Sequence, residues 1–300
     1  MNSRLILQKF TRFSTIESSL EFLLENNIIK ETNACPKCSN QSKVKIYSQN
    51  GLKRVIFRCT KKGCQNKTSI LSSKLCLNEF LFTIYGLLIN LTYYQIKNFV
   101  NVSDPTIAKI RKILRNAFKT YSQNKFIALG GIKVIVECDE TVLSRRGIIR
   151  NPTSMDSNRR DTVWILGVID NTNERNFFIE RIIDRTVETI SRSLENKILL
   201  GSIFTTDGYP SYPRVAQNLL LEHNVVNHNQ GFITHDGIHT NNIEGFWSFL
   251  KSEMRRQGGV MRNNIDEWLE EFTFRKRFLA NYEQSNIEHK YIEILKIIFA

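Results

Sequence analysis

Seven side chains in this sequence have the types and spacing to hold metal ions. Four are thiols: Cys35 and Cys38 in CPKC, then Cys59 and Cys64 in CTKKGC. Each pair forms a short knuckle, and four thiolates from two knuckles close a tetrahedral site for one structural Zn²⁺. Three are carboxylates: Asp139 in VECDET, Asp207 in TTDGYPSY and Glu244 in HTNNIEGFWSFLKSEMRR. Oxygen ligands suit Mg²⁺ or Mn²⁺, and two such ions about 4 Å apart activate a nucleophile and stabilise the leaving oxygen of a phosphodiester. Each acid also has a plainer role. Asp139 can end a strand, Asp207-Gly208 can form a turn, and Glu244 follows Asn241 at capping-box spacing.

The elements around the thiols follow from local pattern. Between the cysteine pairs, SKVKIYSQNGLKRVIFR alternates like two strands with a turn near Asn50-Gly51. A ribbon of about thirty residues cannot hold a core without its metal. Before it, Ser14 and Glu17 have capping-box spacing and open an amphipathic helix over 14–29. After it, TYYQIKNFVNVSDPTIAKIRKILRNAF reads as a helix-turn-helix. Its first helix ends near Phe99-Val100, and its second is opened by Ser103 or Asp104 with Pro105 in the first turn. Ile107, Ile110, Ile113, Leu114 and Ala117 form the apolar stripe of that second helix. Lys109, Arg111, Lys112, Arg115 and Lys119 occupy its other faces, which suits a helix lying against DNA.

The carboxylates need a different frame. Beyond residue 131 the pattern predicts a strand at 132–139, a hairpin at 162–183, a helix at 186–200 and a strand at 202–206. A helix at 211–221, a short strand at 224–227, the Glu244 helix and a final helix in IDEWLEEFTFRKRFLANY follow. In the Glu244 helix, Ile243, Phe246, Trp247, Leu250 and Met254 form one buried stripe. Three strands in meander, then helix, strand and helix, is the order of a ribonuclease-H-like α/β sheet. In such a sheet the first and fourth strands are neighbours, so Asp139 and Asp207 emerge at one edge and the Glu244 helix packs across it. The expected organisation is an N-terminal helix at 1–30, a zinc ribbon at 31–75 and a helix-turn-helix region at 76–125. A ribonuclease-H-like domain at 126–256 follows, with C-terminal helices at 257–300 packing on that catalytic domain.

Charge divides the chain in the same place. The net charge of +13 is +15 over residues 1–130 and −2 over 131–300. Between 32 and 78 there are ten Lys or Arg, including Lys61 and Lys62, and no acid, the pattern of a surface that neutralises phosphates. The loop 144–160, with Arg145 and Arg146 among five Arg, either follows a DNA backbone or is a surface insertion. MNSRLILQKF lacks a signal peptide's apolar run, and FLFTIYGLLINL at 80–91 is too short and interrupted to span a bilayer. An intracellular protein is expected, with thiols serving as ligands or buried groups.

The strings VECDET, DRTVETI, GSIFTTDGYPSY, VNHNQGF and GIHTNNIEGFWSFLK resemble the transposase domain of the Merlin superfamily and its bacterial insertion-sequence relatives. The resemblance covers most of 131–255, and a zinc ribbon ahead of that domain also matches. It implies a DDE-type cut-and-paste transposase with Asp139, Asp207 and Glu244 as catalytic acids, holding two Mg²⁺ or Mn²⁺. The ribbon and helix-turn-helix would bind terminal inverted repeats, and the freed 3′ hydroxyl would join target DNA. Two ends held together imply a homodimer or larger assembly. Lys251 lies on the side of Glu244 and suits a DNA phosphate, while His228, His239 and Asn241 are candidate supporting groups. The expected location is the nucleus of a eukaryotic host, or otherwise the nucleoid. Thr206 stands where the family often has Ser, and LSRRG where many relatives are glycine-rich. Two other readings fit the same residues: a domesticated or inactive DNA-binding derivative, and a structure-specific nuclease on the same fold.

Overall fold

The computed structural model describes residues 3–49, 51–71, 75–126, 128–143, 148–150, 163–226, 241–279 and 284–300. The chain forms two compact units: Met1–Asn124 with Phe278–Ala300, and Lys125–Arg277.

The first unit begins with α1 (Ser3–Arg12) and α2 (Ile16–Glu25). The cap of α2 is Thr15, whose Oγ1 accepts the Ser18 N–H at 3.1 Å. Ser14 does not serve as expected, because its hydroxyl donates to the Thr11 carbonyl at 2.8 Å. Four antiparallel strands follow in order, β1 (Thr32–Ala34), β2 (Gln41–Gln49), β3 (Leu52–Cys59) and β4 (Lys67–Ser69). Alternation turns Val55 and Phe57 of β3 to one face and Arg54 and Arg58 to the other. Lys53 shares the Val55 face and reaches Glu17 of α2 at 2.7 Å.

Helix α3 (Leu77–Leu88) is buried on every side from Phe80 onward, and Leu81, Phe82, Ile84 and Leu88 are wholly buried. Where the first helix of a helix-turn-helix was expected lies α4 (Tyr93–Lys97), opened by a Thr92–Gln95 capping box and ending two residues before the predicted Phe99. Helix α5 (Asp104–Asn124) begins as predicted. Its buried stripe is Ile107, Ile110, Leu114, Ala117, Phe118 and Tyr121. Ile113 is a correction: it lies roughly 80° from the centre of that stripe at 100° per residue, and it is 39% exposed.

The second unit holds β5 (Leu129–Gly130), β6 (Ile135–Leu143), β7 (Ile149–Arg150), β8 (Val163–Asp170) and β9 (Phe177–Ile182). It continues with α6 (Val187–Leu194), β10 (Ile198–Leu199), β11 (Ile203–Thr206), α7 (Tyr212–Asn218) and β12 (Glu222–Val225). Then come α8 (Asn241–Arg256), β13 (Val260–Met261) and α9 (Ile265–Phe278). The main sheet has the order β12-β11-β6-β8-β9. Strands β6, β8 and β9 form the antiparallel meander, while β11 lies parallel to β6 and β12 parallel to β11. Ile243, Phe246, Trp247, Leu250 and Met254 of α8 pack with Trp268 and Phe272 of α9 on one side. Ile190 of α6 and Tyr212 and Val215 of α7 pack with Val136, Cys138 and Phe204 on the other.

The last helix, α10 (Gln284–Ile298), departs from expectation. It belongs to the first unit rather than to the catalytic one. Ile287, Tyr291, Ile294 and Leu295 repeat at i, i+4, i+7 and i+8, and the last three are wholly buried. Tyr291 donates its hydroxyl to the Leu81 carbonyl of α3 at 2.8 Å, so the helix completes the core begun by α3 and α5.

Candidate active site and metal centre

The four predicted thiols stand together: the sulfurs of Cys35, Cys38, Cys59 and Cys64 all lie within 4.8 Å of one another. Cys35 and Cys64 are 3.8 Å apart, and Cys38 and Cys59 are 3.5 Å apart. A tetrahedron with metal–sulfur bonds of about 2.3 Å has edges of about 3.8 Å, so the cluster can accept a zinc ion. Each knuckle closes on a residue at positive φ just after its second cysteine, Ser39 at 56° and Gln65 at 44°. Burial raises the Cys35 thiol, but the N–H groups of Lys37 and Cys38 outweigh it and bring it down to about 6. Burial and the neighbouring sulfurs push Cys59 up to about 12. Full ionisation of all four therefore calls for a cation among them.

The acids are arranged by the sheet. Strand β8 pairs with β6 from Val136 to Leu143, so Asp139 lies mid-strand rather than at the predicted end. On the other side of β6, β11 pairs Thr205 with Glu137 and stops at Thr206. Asp139 thus stands where its parallel neighbour runs out, and Asp207 follows the end of β11, near enough for its charge to act on Asp139. Burial raises the Asp139 carboxyl to about 6. The charges of Glu140 and Asp207 add to that rise, and a 3.0 Å hydrogen bond from Trp247 Nε1 opposes it. Asp207 accepts the Tyr209 N–H at 3.0 Å, an Asx turn that orders the DGY loop.

Helix α8 brings Glu244 and Lys251. Asn241 is itself helical, so it is not the N-cap that a capping box with Glu244 requires. Glu244 is exposed and Lys251 half-buried. Burial and Arg255 lower the Lys251 pKa while Asp139 raises it, so Lys251 and Asp139 lie within each other's field. Among the described residues the thiols alone form a set of three or more ligand atoms within 4.8 Å.

A support for Asp207 carried no signal in the sequence. Glu140, on the opposite face of β6 from Asp139, pairs with Arg185 at 2.9 Å. The Arg185 guanidinium lies 3.6 Å from the Tyr209 ring centroid and 4.8 Å from that of Trp164. Its carbonyl accepts the Ser211 hydroxyl at 2.9 Å. The DGY turn is thereby tied to β6. Thr206 meets His223 Nε2 of β12 at 2.9 Å, which fixes the residue before Asp207.

Of the other predicted groups, Lys61, Lys62, Lys109, Lys112 and Lys119 are exposed, whereas Arg111 and Arg115 are half-buried on the flank of α5. Arg145, Arg146, His228 and His239, and the side chain of Asn241, lie outside the described residues. Strand register adds cations that composition alone did not rank. On the ribbon face opposite Val55, Lys43 lies across from Arg58, and Arg58 across from Lys67. Lys45 and Arg54 share that face. Like charges opposite one another in a ladder are destabilising, so this face favours a polyanion.

A family model described as an ISXO2-like transposase domain matches residues 128–277, which is half of the 300-residue chain. A search of curated proteins finds no match. The matched span takes in the whole main sheet with α8 and α9, and so all three acids. It supports a ribonuclease-H-like fold, and it does not single out the Merlin superfamily. No helix among the described residues is long and apolar enough to cross a membrane. With half its length matched, the main sheet included, the chain belongs to the ISXO2-like family of DDE transposases.

Proposed function

We propose that this protein is a cut-and-paste transposase that binds terminal inverted repeats, cuts DNA strands and transfers the freed 3′ hydroxyl to target DNA. The observation that supports the reading is the pairing of β11 with β6 up to Thr205 and Glu137, each two residues before a proposed acid, Asp207 and Asp139. Asp139, Asp207 and Glu244 would hold Mg²⁺ or Mn²⁺. The fit rests on their hard oxygen donors and on a half-buried Asp139 whose raised pKa marks a place short of positive charge. Bound there, the ions would activate the attacking oxygen and stabilise the leaving one. Trp247 orients Asp139, the Glu140–Arg185 pair holds the Asp207 turn, and Lys251 is suited to a phosphate beside them. Four thiols at tetrahedral spacing support a structural Zn²⁺ in the ribbon. The basic face of the ribbon and the exposed lysines of α5 support binding of repeat DNA. Synapsis of two ends calls for a homodimer or a larger assembly. Kinship with the Merlin superfamily rests on the strings from VECDET to GIHTNNIEGFWSFLK.

The test is to incubate the protein with Mg²⁺, end-containing DNA and a target plasmid. Joined products are expected. Cuts without joining would make it a nuclease, and a band shift alone would make it a binding protein.

A further inference from the structure

Glu137 is an acid that the proposed chemistry does not use. It is 2% exposed and lies two residues before Asp139 on β6. Successive side chains of a strand alternate, so Glu137 and Asp139 face the same side, toward α8. Its Oε2 accepts the backbone N–H of Asn242 at 3.1 Å and of Ile243 at 3.0 Å, and its Oε1 accepts Asn242 Nδ2 at 2.6 Å. These N–H groups are in the first turn of α8, where a helix has no internal acceptors and favours a negative charge. A carboxylate from the sheet supplies both.

The second fixed point is the Trp247 indole on Asp139. From Ile243 to Trp247 the helix rises about 6 Å, and from Glu137 to Asp139 the strand advances about 6.7 Å. The two spacings agree, so α8 runs along β6 with two polar contacts in step. Position 167 is shaped for this arrangement. Gly167 lies opposite Asp139 on β8, and a Cβ there would overlap the Trp247 ring, with Cζ2 at 2.7 Å. A one-residue slip of the helix would move it about 1.5 Å and turn it about 100°. On the transposase reading of the acids, that turn would carry Glu244 away from Asp139.

We propose that Glu137 and Trp247 form a two-point latch that sets the register of α8 on β6, and with it the position of Glu244 relative to Asp139. Glu137 is a positioning residue, and the inference rests on the transposase reading of the three acids. Gly167 is the complementary vacancy that lets the latch close.

The experiment uses full-length protein with Glu137→Ala, Glu137→Gln, Trp247→Phe and Gly167→Ala, measuring DNA cleavage and amide hydrogen exchange in α8. Displacement by about 1 Å can cost about 100-fold in rate, so Glu137→Ala should lose about that much turnover with KM for end DNA within about two-fold. Glu137→Gln keeps an oxygen for the two backbone N–H groups and should recover to within about ten-fold of wild type. Asn242 and Ile243 amides should exchange faster in Glu137→Ala and near normally in Glu137→Gln. Wild-type turnover in Glu137→Ala, or unchanged protection of those two amides, would overturn the latch. Should Glu137→Ala not fold, Trp247→Phe and Gly167→Ala decide: unchanged turnover in both sinks the proposal. Should the wild type itself not cut, the transposase reading fails, and the exchange measurements alone judge whether α8 is held from β6.

Discussion

The two groups of predicted ligands are assembled in opposite ways. The thiols come from two short knuckles close in sequence and stand within 4.8 Å of one another. The carboxylates come from β6, the loop after β11 and α8, and rely on the sheet for Asp139 and Asp207 and on a packed helix for Glu244. Soft, poorly solvated sulfurs tolerate close approach, whereas three ionised carboxylates repel one another and favour water until a cation neutralises them. A structural centre is therefore built into the local fold. In the proposed reactive one, distant elements bring the acids together and burial leaves Asp139 strained.

That contrast breaks first at the zinc. Chelation, or Cys59→Ser, should remove the proposed Zn²⁺ and unfold β1–β4, since structural zinc contributes about 10 kcal/mol or more to such modules. The unfolding of the catalytic unit should be unchanged. Elemental analysis that finds a full equivalent on Cys59→Ser would overturn the assignment.

The next effect falls on chemistry. Glu244→Gln, Asp139→Asn and Asp207→Asn should each lower cleavage by about 1,000-fold or more, about 4 kcal/mol, while end binding persists. Double variants should be no worse than singles, because groups of one site are not additive. Near-normal cutting by Glu244→Gln would return that residue to a helix-end role.

A smaller effect sharpens the idea of strain. Asp139 titrates near 6 in the fold against an ordinary 3.8. Between those values the native protein keeps a proton that the unfolded chain has released, so stability falls as pH rises through the window. Asp139→Asn lacks that loss. Above pH about 6 it should be more stable than wild type by about 1–2 kcal/mol after allowance for solvent screening, with the gap closing below pH about 4. Denaturant melts across pH measure it, and a variant less stable at pH 8 would contradict the strain. The smallest effect per residue concerns the ribbon face. Replacing Lys43, Arg58 and Lys67 together by Ser should flatten the slope of log affinity against log salt by about 2 to 3, with zinc retained.

How much of this was legible depends on range. The thiol cluster, the sheet order and the buried stripe of α8 follow from spacing, and the structure has them in those positions. The extent of β6 beyond Asp139 was missed because its pairing with β8 is a long-range choice that the strand's own residues do not encode. Arg185 and Glu140 carry no periodic signal, since their pairing joins positions 45 apart in sequence. Ile113 was misplaced because the stripe of α5 drifts toward Phe118 and Tyr121, beyond the residues first counted.

The placement of α10 changes how the molecule can be divided. The first unit is a host domain interrupted by the catalytic one, with Tyr121 and Phe278 marking the exit and the return. Their ring centroids are 4.9 Å apart, so the chain leaves and re-enters at neighbouring points, the geometry that tolerates a guest domain. A fragment stopped at residue 124 lacks Tyr291, Ile294 and Leu295, all wholly buried, and would open a cavity in the host's core. Joining Asn124 to Phe278 through a short flexible linker should instead give a closed host without the guest. Repeat binding can then be measured on a whole domain from which the cutting machinery has been lifted out.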